Sequence, residues 1–143
     1  MHLLPDTNVL LDVLLERKNW ADASKQVWQA HNDGRIFGYV TASTLTDIFY
    51  VGRRYKGRDG VREAVRICLQ SFNICDVTRQ TLLLADSLPG RDFEDNVQIA
   101  CALLANLNGI VTRDKSGFTA ADLPVWTPEE LLVQTGAKNG EQE

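Results

Sequence analysis

Asp6, Asp47, Asp95 and Asp114 are the residues whose types and positions could do chemistry in this chain. Asp6 and Asp114 directly follow apolar, strand-like runs, Asp47 lies early in the helix after another such run, and Asp95 opens a helix. Carboxylates gathered in one place repel one another unless cations lie among them, and an all-oxygen donor set favours Mg²⁺ or Mn²⁺. Taken singly, each acid also has a plainer role: Asp6, or Asp92 with Asp95, as helix caps, Asp114 in a turn and Asp47 as a solvated helix residue. Histidine chemistry has little material, because His2 and His31 are the only histidines, too few for a His-rich zinc centre or a Ser-His-Asp triad.

The elements that must position these acids follow from hydropathy. Leu3 to Asp12 reads as a strand running straight into a helix, with Asp6 at the junction. A helix over Trp20–Asn32 stops at Gly34; a strand over Ile36–Val40 leads through Thr41 into a helix from Ala42 to about Tyr55 that carries Asp47. Lys56–Gly60 reads as a turn before a basic amphipathic helix, Phe72–Val77 as a third strand and Thr78–Leu88 as a short helix closed by Pro89-Gly90. Asp92–Asp95 leads into a helix over Asn96–Asn106, and Gly109–Thr112 is a fourth strand followed by a turn at Arg113–Gly117. Leu123–Trp126 adds an edge strand, Thr127 caps a last helix, and residues 136–143 read as a flexible tail. Strands alternating with helices predict a three-layer α/β/α sandwich around a mainly parallel sheet of four to five strands, as one domain over residues 1–135. In such a sheet the carboxyl strand ends share one edge, where open α/β sheets bind ligands, and all four acids are expected there.

Composition narrows the alternatives. At 143 residues and a net charge of −4, the chain supports one normal core and suggests no nonspecific nucleic-acid coat. No window reaches the roughly 20 apolar residues of a membrane span, and Pro5 and Asp6 interrupt the early apolar run, so a cytoplasmic protein is expected. Cys68, Cys75 and Cys101 form no close pairs and read as reduced core thiols.

At this point the sequence resembles the PIN-domain ribonucleases, through four separated motifs in order between Leu3 and about Leu132. They are Leu4-Pro5-Asp6-Thr7-Asn8-Val9-Leu10-Leu11-Asp12, Thr41 to Ile48 around Asp47, Asp92 to Ala100 around Asp95, and Val111-Thr112-Arg113-Asp114 followed by Phe118. The resemblance implies a Mg²⁺- or Mn²⁺-dependent endoribonuclease, similar to the toxins of bacterial toxin–antitoxin pairs, with RNA as substrate, a small antitoxin-like protein as partner and a homodimer as the assembly. It also implies that Asp6, Asp95, Asp114 and Asp47 hold the metal, with Thr7, Asn8, Asp92 and Thr112 in support. Many members carry Glu at the second acidic position, and Asp47, one methylene shorter, is expected as a ligand either directly or through a water. Asp114 is a ligand or orients the attacking water.

Arg53, Arg54 and Lys56, followed by Arg58, Arg62 and Arg66, offer a basic rim for RNA, and Arg113 offers another contact beside the fourth motif; such runs are also ordinary solvated faces. Two other functions remain open: a PIN-like binding or assembly module with weak catalysis, and a receiver-type signalling domain. The second fits worse, because receivers pair adjacent acids after the first strand.

Overall fold

The computed structural model describes residues 1–136, so the expected tail lies outside them except for Gly136. Its elements run β1 (His2–Pro5), α1 (Thr7–Leu14), α2 (Ala21–Asn32), β2 (Phe37–Thr41), α3 (Ala42–Ser71), β3 (Asn73–Cys75), α4 (Arg79–Ser87), α5 (Phe93–Leu104), β4 (Gly109–Val111), β5 (Val125–Trp126) and α6 (Pro128–Gln134), with a 3₁₀ turn at Lys115–Phe118. The five strands form one sheet in the order β3-β2-β1-β4-β5. Every pairing is parallel. The first strand is therefore the central one, with Leu3 opposite Gly109 and Pro5 opposite Val111.

Parallel sheets are covered on both faces, and the alternation of side chains along a strand sorts neighbours into opposite cores. Leu4 and Ile110 pack with Val97, Ile99 and Ala100 of α5, whereas Leu3 and Val111 pack with Val9, Val27, Leu131 and Leu132 on the other face. A third cluster joins Leu10 and Leu11 to Val40, Ile48, Cys68 and Phe72. Burial pushes the thiols of Cys68 and Cys101 up to about 12 and that of Cys75 up to about 11, which keeps all three protonated.

Three boundaries differ from the hydropathy reading. The expected turn at Lys56–Gly60 contracts to one residue, Gly57, whose φ of 72° lies in the left-handed region open to glycine. The bend is sharp: a Cβ at Gly52 would meet Val61 Cγ2 at 2.8 Å, although nine residues of straight helix span about 13 Å. The third strand ends at Cys75 rather than Val77, since only Asn73–Cys75 pair with β2. The helix expected from Asn96 begins one turn earlier, at Phe93, because Asp92 rather than Asp95 supplies the cap.

Candidate acidic active site

β1 delivers the first acid. Pro5 has no N–H to offer the sheet, so the next residue continues the ladder: Asp6 N–H donates to Val111 O at 2.7 Å, which fixes the acid against β4. Asp6 is both helix cap and buried acid, with only 8% of its surface exposed. Its Oδ1 accepts from Thr7 N–H at 2.7 Å and from Gln98 Nε2 at 3.0 Å, and its Oδ2 accepts from the Thr112 hydroxyl at 3.1 Å. A buried carboxylate is tolerated when its lone pairs are met in this way.

β2 delivers the second. Thr41 caps α3 by accepting from Thr44 N–H at 3.1 Å, and the Thr44 hydroxyl lies 3.1 Å from that of Thr7. A short chain of hydroxyls thus ties the start of α1 to the start of α3. Asp47 follows Thr44 by about one helical turn, half-buried, and its carboxyl is pushed up by burial first, then by Asp6 and Asp92.

α5 delivers the third. Asp92 accepts from Asp95 N–H at 3.1 Å, which leaves Asp95 in the first helical turn, half-buried and facing the cleft. Burial, followed by the charges of Asp92, Asp6 and Asp114, pushes Asp95 up to about 6. Asp95 also packs against bare backbone, since any Cβ at Gly117 would collide with its Oδ2.

The fourth acid comes after β4. The Thr112 hydroxyl that donates to Asp6 also accepts from Asp114 N–H at 3.3 Å, so one side chain couples both acids. Asp114 is exposed, and bonds to its Oδ1 from the Ser116 hydroxyl at 2.7 Å and the Ser116 N–H at 3.0 Å hold its carboxyl below the usual range. These elements open one cleft of about 500 Å³ whose walls include Asp6, Asp47, Asp92, Glu94, Asp95 and Asp114, with Thr7 and Asn8 beside them.

Among the described residues, no group of three or more His, Cys, Asp or Glu side chains is arranged to hold a metal ion. The donor set nevertheless fits a hard divalent cation in kind. It is all oxygen, its acids raise one another's pKa, and the buried Gln98 Oε1 has no hydrogen-bond partner. Repulsion between uncompensated carboxylates favours the splayed arrangement, and a cation would draw them together.

Gln98, Thr44 and Ser116 were not singled out by the sequence reading. Gln98 sits on a helix face that otherwise reads as packing, and a polar residue within that apolar run is the signal the sequence carries; the structure buries it to 2% exposure. The cationic candidates do not line the acidic cleft. Arg53 lies 5.1 Å from the centroid of the Tyr50 ring, Arg54 and Lys56 are exposed near the α3 bend, and Arg113 pairs with Asp12 at 3.3 Å.

An open, all-parallel α/β domain with an acidic cleft at the carboxyl ends of its central strands is the class that fold and site define. Residues 2–116 match the family described as the PIN domain, and the chain belongs to it. A comparison with curated proteins finds no match. Among solved structures, FitAcB from Neisseria gonorrhoeae is similar with a TM-score of 0.70 at 21% identity, covering 89% of this chain and 98% of that one. The Mycobacterium tuberculosis toxin VapC20, described as cleaving the Sarcin-Ricin loop, gives a TM-score of 0.70 at 15% identity, with 85% and 96% covered. VapBC2 from Rickettsia felis, bound to a promoter DNA fragment, gives 0.69 at 13% identity, with 87% and 97% covered. At these identities the likeness is one of fold. No helix among the described residues is long and apolar enough to cross a membrane.

Proposed function

We propose that this chain is a Mg²⁺- or Mn²⁺-dependent endoribonuclease, the toxin-like member of a toxin–antitoxin pair, acting in the cytoplasm as a homodimer. The observation that carries the reading is the convergence of acids from the ends of β1, β2 and β4 and the start of α5 on one cleft, with Asp95 pushed up to about 6 by burial and then by the charges of its neighbours. Family membership supports nuclease chemistry, and the Sarcin-Ricin loop cleavage of the similar VapC20 supports RNA as the substrate.

Asp6, Asp95 and Asp114 would hold the cation, with Asp47 as a further ligand or one acting through water. Bound there, it would lower the pKa of a coordinated water and screen the charge developing on the phosphate. Gln98 and Thr112 keep Asp6 oriented, and Thr112 transmits that orientation to Asp114. Ser116 holds Asp114 ionised, ready to bind the cation or to orient an attacking water. Asp92 fixes the first turn of α5 and so the direction of Asp95. Thr7 joins this frame to the helix bearing Asp47. Asn8 is exposed beside the acids, where its Oδ1 accepts from Arg17 Nη1 at 3.1 Å.

The test is to incubate purified protein with structured RNAs, with Mn²⁺ or with EDTA, and to map the cuts. Metal-dependent cutting lost in Asp6→Asn and Asp95→Asn is expected; RNA that stays intact while bound would instead favour the binding-module reading.

A further inference from the structure

Resting on the ribonuclease reading, we propose that Arg17, Arg113 and Trp20 form a subsite for one nucleotide of single-stranded RNA beside the acidic cleft, the two guanidiniums taking a phosphate and the indole stacking a base. The centre of this group is Asp12, an acid of α1 with no exposed surface. Its Oδ1 lies 3.3 Å from Arg17 Nη1 and 3.3 Å from Arg113 Nη1, while its Oδ2 has no hydrogen-bond partner. One arginine would balance this buried charge. The second leaves the trio with a net positive charge.

That charge is held from inside and reachable from outside. The side chains of Arg17 and Arg113 remain 27% and 24% exposed, respectively. Long cationic side chains normally lose rotamer freedom on binding; these are already oriented, and planar guanidiniums suit phosphate oxygens. Position connects the group to the acids. Arg17 Nη1 donates to Asn8 Oδ1 at 3.1 Å, Asn8 lines the acidic cleft, and Arg113 directly precedes Asp114.

The aromatic member sits beside them. Arg113 Cζ lies 4.8 Å from the Trp20 ring centroid, and Trp20 is 43% exposed. Left-handed backbone at Glu16 and Asn19, with φ of 49° and 76°, shapes the short loop that presents this indole. A cation next to an accessible aromatic face is the combination by which proteins grip a single strand without reading its sequence. Among the described residues, Arg53, Arg54 and Lys56 of α3 have no carboxylate partner, and Arg53 lies instead over the Tyr50 ring.

The experiment titrates the intact protein, in Ca²⁺ to screen the acids, with a fluorescent single-stranded RNA of about twelve nucleotides at several salt concentrations. Trp20→Ala should weaken binding by roughly tenfold, while Trp20→Phe restores most of the affinity. Arg17→Gln should lower the slope of log affinity against log salt by about one. Trp20→Phe keeps an aromatic ring beside Arg113, so its recovered affinity, read together with the melting temperature of each variant, separates lost stacking from lost folding. Parent-like affinity and slope in both Trp20→Ala and Arg17→Gln would overturn the subsite alone, whereas a parent that binds no RNA would overturn the nuclease reading and the subsite together.

Discussion

Replacing Asp95 by Asn should stabilise the metal-free protein above about pH 6 and leave it unchanged below about pH 4. Burial and the charges of Asp92, Asp6 and Asp114 raise this carboxyl from 3.8 to about 6, so the folded state holds its proton more tightly than the unfolded state does. The favourable contribution is complete below 3.8 and disappears as pH rises through about 6, so the parent loses stability across that window. Taken at face value the difference is about 3 kcal/mol; screening by the open cleft reduces it to about 1–2 kcal/mol. For a chain of this size that is a rise of roughly 3–8 °C in melting temperature at pH 7.5. Asn cannot lose a proton, and the helix keeps its cap because Asp92, not Asp95, accepts the first-turn N–H. Calorimetry of both proteins in EDTA from pH 4 to 8 should therefore give curves that meet at low pH and diverge above it. Added Mn²⁺ should then raise the parent's melting temperature far more than the variant's. A metal-free variant that melts below the parent at pH 7.5, or a gap that does not change with pH, would refute the argument and move the third metal position to Asp92 or Glu94 in the same cleft.

Other perturbations address the frame around the acids. Gln98→Met removes the Nε2 donor to Asp6 within a packed helix face; a loss of about 1–3 kcal/mol of stability by chemical denaturation is expected, with weaker Mn²⁺ binding by calorimetry. Gly117→Ala drives a methyl against Asp95 Oδ2, the movable end of a side chain, so the fold should survive while cleavage falls by tenfold or more, within the range of about 10–100-fold for changes that misorient metal ligands. Changing Arg53, Arg54 and Lys56 together to Ala should leave the melting temperature unchanged, since all three are exposed, and should flatten the salt dependence of RNA binding only if the strand also runs along α3.

The parts of this architecture that a linear reading reaches are those written in short-range pattern. The run from Leu3 to Asp6 shows a strand meeting an acid, and Thr127, Pro128 and Glu130 show a capped helix, which the fold completes as a reciprocal capping box. Local ambiguity defeats the start of α5, where Asp92, Asp95 and Asn96 are all capping residue types and only the fold selects Asp92. Asn96 instead uses its amide to donate to Gly90 O at 2.9 Å, holding the loop before the helix. Pairings made across the chain are beyond such a reading altogether. Asp12 looks like the polar end of an amphipathic turn until Arg113 meets it, and Gln98 looks like a packing residue until Asp6 lies beneath it. Gly57 and Gly60 look like a loop because glycine pairs usually make one, yet helix resumes at once on either side of Gly57.

The central place of β1 governs when the acidic site can assemble during synthesis. Asp6 is made before the other three acids, and Gln98 and Thr112, which bind its two oxygens, follow 92 and 106 positions later. Until β4 emerges and pairs with β1, the nascent chain carries the first acid without its donors, without the Val111 carbonyl that anchors its backbone and without Asp114. Fragments that end before β4 therefore lack an assembled acidic cleft, and the site comes together only once β4 and Asp114 have been made.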